Sequence, residues 1–548
     1  MLLPPRPLCL ASALGLVIAT GCAGSSSDTE SSTTTSASSS SSSSSTGDDS
    51  DTQTSTGDST TGVEFVPIPA RNISLDRVQA NQAVGVDIAK DGEWVPGDQR
   101  SSYLLQDRLM LLRGFWTVGE DWTPRKIRAH LKVYYPDGTI YEDDQTLMIE
   151  DDSFEGDLKR TFYFGLMREQ VVPGIKFEMD LWETAPGYED TPEPDPAPRI
   201  PYDETALVGV ENSAQLLKVI IVPFNYDDGD KCQTSPDLSE KTMKLFYDLM
   251  YMQYPVDTLE ITIHDPVDWN TELKDFNETN KYMSGLRFDE GAPPEVFYFG
   301  LIDTCSGGVA GAGGKAYGIP KIKPVKDQAW QRVSSGLSLK NNPTFSAETF
   351  VHEVGHSIGR LHIDCGGAAG FDPTYPYPNG EVGEWGFGVI DFGIRHPTVN
   401  KDYMTYCSPT WIGNWAWSKV YPAIDILTQW ANEGPPAPDE DIYSGSLLVG
   451  SVYPDGHSSW ITVPGGLTDD ELSATDRIEM WAGDTQVADL PAMARFLPDG
   501  VIKQVVVQLP DNFDAVTSFE HVSGKTRRRI QTTKVDIHHT SRTLTAPQ

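Results

Sequence analysis

Apolar and polar positions alternate in short runs from residue 63 to about 199, as in Ala129-His130-Leu131-Lys132-Val133-Tyr134-Tyr135 and Lys176-Phe177-Glu178-Met179-Asp180-Leu181-Trp182. A period of two buries one face of a strand, and turn signals such as Pro136-Asp137-Gly138 separate the runs. The pattern predicts a β-sandwich over 63–200. The run 189–198 is acidic, rich in proline and unable to form a helix, so it reads as a linker. Over 212–432 the rhythm becomes mixed. Residues 216–224, 259–263 and 296–302 read as buried strands, and Leu245, Leu249 and Met252 share one face of a helix over 238–254. Further helices are expected over 346–360 and 419–430, and the glycine-rich stretch 307–318 ends in a candidate edge strand. Beyond Gly434-Pro435-Pro436-Ala437-Pro438 the chain turns β-like again, over 440–548. The expected fold is multidomain, an α/β unit flanked by an N-terminal β-sandwich and a C-terminal β domain.

The first 62 residues follow neither rhythm. Arg6, the apolar run from Leu8 to Ala19 and the small residues Ala19-Thr20-Gly21 describe a secretory leader over 1–21. Cys22 directly after it resembles the bacterial lipoprotein signal, which implies acylation of that cysteine, although Ala19 stands where such signals place Leu. A plain secretory leader is the alternative. From Ser25 to Gly62 the chain is almost wholly Ser, Thr, Asp and Gly, so nothing offsets the entropy of ordering. Residues 22–62 read as a disordered tether with a reach of about 35 Å. These features place the protein outside the cytoplasm, at the cell surface or outer membrane as a lipoprotein, or secreted.

The whole chain has 548 residues, with 42 Lys and Arg against 79 Asp and Glu, a net charge of −37. Such a polyanion is repelled by phosphate backbones, which argues against nucleic acid as a partner. No apolar stretch outside the leader is long enough to span a bilayer, so a lipid anchor is the one membrane contact expected.

Chemistry concentrates in His352-Glu353-Val354-Gly355-His356-Ser357-Ile358-Gly359-Arg360-Leu361-His362. A bare His-Glu-x-x-His arises by chance in about 7% of chains this long, but adding Gly359 and His362 lowers that to roughly two in ten thousand. His352 and His356, four apart, stand on one helix face and can reach one ion. Gly359 can take a positive φ, end the helix and swing His362 back as a third nitrogen. Three neutral imidazoles suit one catalytic Zn²⁺ with a position left for water, towards a water pKa of about 7. Glu353, about 100° round the helix, can take the proton of that water as general base.

The string resembles the signature of the metzincin zinc metallopeptidases. That resemblance implies a metzincin-like catalytic domain over 212–432, hydrolysis of peptide bonds, and a methionine turn beneath the metal. Asp402-Tyr403-Met404-Thr405-Tyr406-Cys407 supplies it, with Met404 in the turn and Tyr406 two residues on. A Met-x-Tyr turn is similar to the astacin and serralysin branches, where the tyrosine contacts zinc, so Tyr406 is a candidate catalytic residue. The stretch 403–412 looks more like large secreted bacterial metzincins, including a mucin-cleaving group, while Ile363 after the third histidine assigns no branch. Cys232, Cys305, Cys365 and Cys407 allow three connectivities. A Cys365–Cys407 bond would clamp the third-ligand loop to the methionine turn and leave Cys232 to pair with Cys305; free buried thiols are the alternative.

His130, His264, His396, His457, His521, His538 and His539 lack ligand spacing. Trp385, Trp411, Trp415 and Trp417 suit core packing or stacking on sugars. Calcium is possible at Asp372 or Asp391, but no loop has EF-hand spacing. Two functions follow: a zinc endopeptidase acting on extracellular protein or glycoprotein, or a surface-anchored binding protein with an ancillary zinc site. The second does not need Glu353.

Overall fold

In the computed structural model, which describes residues 65–434, 441–497 and 500–537, the alternating N-terminal runs form strands β1 Ile73–Asn81, β2 Gly85–Lys90, β3 Glu93–Trp94, β4 Met110–Val118, β5 Arg125–Tyr134, β6 Ile140–Ile149, β7 Phe162–Leu166 and β8 Lys176–Glu183. The leader, Cys22, the tether, His538 and His539 lie outside the described residues. One sheet runs β3-β2-β1-β4-β7. The other contains β5, β6 and β8, and gains β9 Arg199–Ile200 and β10 Ala206–Leu207, both paired with β8. The proline-rich run 189–198 therefore loops out of this sheet and returns to it, and strand pairing continues past residue 200. Inward residues Leu131, Val133, Phe177, Met179 and Leu181 are buried with Leu75, Val78 and Leu112 of the first sheet in one apolar cluster.

The middle of the chain builds a seven-stranded mixed sheet. Its members are β11 Leu216–Asp227, β12 Gln233–Thr234, β13 Thr258–Ile263, β14 Val267–Trp269, β15 Phe297–Ile302, β16 Gly314–Ala316 and β17 Val333–Leu337. β13, β11, β15 and β17 are parallel neighbours, and β16 closes the edge antiparallel to β17. Helices α1 Glu240–Gln253, α2 Phe276–Asp289, α3 Pro343–Ile358 and α4 Asn414–Glu433 cover it. Strand alternation sorts the two faces. Leu217, Val219, Ile221, Phe297 and Phe299 pack with Phe246 of α1, Phe350 of α3 and Ile424 of α4. Val222, Phe224, Tyr298 and Ile302 pack on the other face with Met283 of α2.

The second face also receives Leu447, Val449, Ile461 and Val463 from the C-terminal region, where a five-stranded and a four-stranded sheet occupy 446–537. The molecule is multidomain and mostly β, with four α-helices among the described residues. None of these helices is long and apolar enough to cross a membrane.

Helix α2 and strand β17 were not expected from the periodicity, and α4 starts five residues before 419, at Asn414. Trp411 and Trp417 are buried, as core residues are. Asp372 accepts from Lys419 Nζ at 2.9 Å, and Asp391 is paired with Arg395, so both carboxylates already have cationic partners.

Candidate metal centre

Helix α3 carries the site because its ends are specified. Asn342 caps the start by accepting from the Phe345 amide, and Pro343 fits the first turn. Gly359 ends it at φ 118°, and its amide reaches the His356 carbonyl at 2.9 Å. A side chain there is excluded twice, by the left-handed backbone and by space. A Cβ would stand 2.8 Å from Ile322 N, Ile322 Cα and the Pro320 carbonyl.

The turn brings His362 back beside the helix. Its ring centroid lies 4.5 Å from that of His356 and 5.3 Å from that of His352, while the two helical rings are 4.8 Å apart. The candidate ligand atoms of the three histidines all fall within 4.8 Å of one another. His356 Nε2 and His362 Nε2 are 3.0 Å apart. Two nitrogens on one tetrahedral zinc stand about 3.4 Å apart, so the donor set fits such an ion with small adjustment. Among the described residues no other group of three His, Cys, Asp or Glu side chains meets as closely.

The outer nitrogens decide which atoms face inward. His352 Nδ1 bonds the Tyr403 carbonyl, His356 Nδ1 the Arg360 carbonyl and His362 Nδ1 the Ala369 carbonyl, each at 2.7 Å. A carbonyl only accepts, so each Nδ1 carries the proton and each Nε2 keeps its lone pair for the centre. Burial and the neighbouring His362 push the His352 pKa down to about 3, and burial with both neighbouring histidines holds His356 well below its ordinary value. Burial lowers His362 as well. The three imidazoles are neutral at physiological pH, the state a metal requires.

Glu353 follows the first histidine on α3 and is 7% exposed. Edge strand β16 lies against it: a Cβ on Gly314 would come within 2.9 Å of Glu353 Cγ. Met404 is fully buried beneath the helix, and a Cβ on Gly355 would meet its Sδ at 2.5 Å. Gly355 is thus a second glycine of the string with a fixed duty, which spacing alone did not reveal. Tyr406 is 55% exposed, its ring 4.9 Å from His362 and 5.8 Å from His352.

The loop carrying His362 is stitched to the methionine turn. Ile363 N donates to the Met404 carbonyl at 3.0 Å and Tyr406 N to the Cys365 carbonyl at 3.3 Å. Cys365 and Cys407 are disulfide-bonded, with Cα atoms 5.8 Å apart. Cys232 and Cys305 form a second bond, Cα atoms 6.0 Å apart. Two disulfides are what an exported protein carries.

No protein-family model matches the chain, and no curated protein matches it. Among solved structures, the crystal structure of metalloproteinase-II from Bacteroides fragilis is similar at 13% identity and a TM-score of 0.23, over 39% of this chain and 55% of that one. The chain thus spans about half the length of that enzyme. A calcium-binding mutant of Bacteroides uniformis beta-glucuronidase 2 matches at 10% identity and TM-score 0.13, over 42% of this chain and 29% of that one. A Paenibacillus cycloisomaltooligosaccharide glucanotransferase matches at 8% and 0.16, over 82% and 71% of the two chains. Likenesses this distant carry no argument about function, which rests on the site itself.

Proposed function

We propose that this chain is a zinc-dependent endopeptidase of metzincin type, exported and held at the cell surface through Cys22, acting on extracellular protein or glycoprotein. One observation carries the reading: three neutral imidazoles, each fixed by a carbonyl at its outer nitrogen, bring their remaining ring nitrogens together, and the residue after the first of them on the same helix is the buried Glu353. Zinc bound there supplies Lewis acidity that acidifies water and polarises a carbonyl. His352, His356 and His362 hold it. Glu353 accepts the water proton and returns it to the departing amine. Tyr406 donates a hydrogen bond to the carbonyl oxygen as charge develops there. An extended substrate laid along edge strand β16 would pass beside Glu353, the way peptides add to open sheet edges.

The test is metal analysis together with turnover of an unstructured protein substrate. Wild-type protein is expected to hold about one zinc and to lose activity to a chelator. His356→Ala should lose the metal. Glu353→Ala should keep zinc and fold while turnover drops about 10²–10⁴-fold. Full turnover by Glu353→Ala would refute the mechanism, and undiminished zinc in His356→Ala the ligand set.

A further inference from the structure

Arg360 and Asp402 form a fully buried ion pair, 2% and 0% exposed, with Nη2 at 3.2 and 3.3 Å from the two carboxylate oxygens. Nothing in the chemistry above uses it. Buried ion pairs contribute little net stability compared with apolar residues of similar volume, so their retention calls for another reason.

The reason lies in what each partner holds. Arg360 lies directly beyond the helix cap, and its own carbonyl is the acceptor for His356 Nδ1. Asp402 precedes Tyr403, whose carbonyl is the acceptor for His352 Nδ1. Asp402 Oδ1 also accepts from the Met404 amide at 2.9 Å, which pins the turn at the point where the Tyr403 carbonyl is aimed. Arg360 Nη1 reaches the Tyr403 hydroxyl at 3.4 Å, and its guanidinium lies over the Trp415 ring, 5.4 Å from the centroid. One ion pair therefore ties together the two backbone segments that orient two of the three histidines.

We propose that Arg360 and Asp402 are positioning residues for the metal centre: the pair fixes the outer-nitrogen acceptors of His352 and His356, and so presents both Nε2 atoms in one geometry. The inference rests on the zinc reading above. Groups at this remove from a metal typically change its affinity 10–100-fold when altered.

The experiment compares wild type with Arg360→Met/Asp402→Leu, which removes both charges and roughly keeps volume. Metal-free protein is titrated with zinc against a chelating dye, its melting is recorded, and cobalt(II) is substituted to read the ligand field by visible absorption. The double variant is expected to melt within a few degrees of wild type, to bind zinc about 10–100-fold more weakly and to shift the cobalt band. Arg360→Lys, which keeps the charge, should recover part of the affinity. Wild-type affinity and an unchanged cobalt band in the folded double variant overturn the inference. If the double variant does not fold, Asp402→Asn decides: weaker zinc binding supports the role, and unchanged binding overturns it. Wild-type protein that takes up no zinc overturns the zinc reading and this inference together. Zinc uptake without proteolysis overturns only the peptidase assignment.

Discussion

Tyr406 is the residue whose role turns on a single oxygen atom. Its ring lies against two of the candidate ligand histidines, edge-on to His362 and tilted to His352, and is 55% exposed. If its hydroxyl stabilises the developing oxyanion, Tyr406→Phe should retain zinc and melting temperature while kcat falls about 10²–10³-fold with KM little changed. Steady-state kinetics beside metal analysis checks this, and preserved kcat returns the side chain to a purely structural role. The three histidines and Glu353 were legible in the sequence because a helix turns spacing into direction. The carbonyls that orient the imidazoles were not. A backbone oxygen is present at every residue, so Tyr403, Arg360 and Ala369 carry no mark of that duty.

Between α3 and the loop that follows, everything depends on one left-handed residue. Gly359→Ala should lower stability by about 1–3 kcal/mol from backbone strain alone, and further from collision with Ile322 and Pro320. Thermal melting should show the loss, and zinc affinity should fall with it because His362 is displaced. Elements with an apolar stripe, such as α1, α3, β11 and β15, were visible from the pattern. Helix α2 was hidden because its inward face is mixed: Asn277, Thr279, Asn280, Ser284 and Arg287 are buried alongside Phe276 and Met283. Ser284 donates to the Trp330 carbonyl and Asn280 to the Lys315 carbonyl, so hydrogen bonds to neighbouring backbone replace much of the apolar stripe. β17 escaped because Val333-Ser334-Ser335-Gly336-Leu337 is buried through small residues. The start of α4 was blurred because Gly413 makes no side-chain cap and the first turns hold Trp415 and Trp417.

Across the whole molecule, the β-sandwich and the region of the three histidines meet at Glu384. Burial, with Asp87 and Glu155 facing it from the sandwich, pushes its pKa up to about 7, and Arg77 offsets this only in part. Its Oε1 accepts from Asn414 Nδ2 at 2.6 Å. The folded pKa lies above the ordinary glutamate value of 4.5. The group's contribution is therefore complete below pH 4.5 and is lost as pH rises through 7. Melting temperature is expected to drop between pH 5 and pH 8, and Glu384→Gln should flatten that drop. Equal slopes in the two proteins would show that the carboxyl is not the cause.

Arg108, fully buried, reaches from the sandwich to the carbonyls of Tyr251 and Tyr254 at the end of α1, at 2.7 and 3.2 Å. A single apolar cluster runs through both regions. The region that carries the three histidines is consequently not a portable cassette. Recombination that moved residues 212–432 alone into another gene would leave those carbonyls without their arginine and lay a core surface open to solvent. Any lineage that shuffled this region would have had to carry its N-terminal neighbour along, and a comparison of gene architectures should find the two regions travelling as a pair.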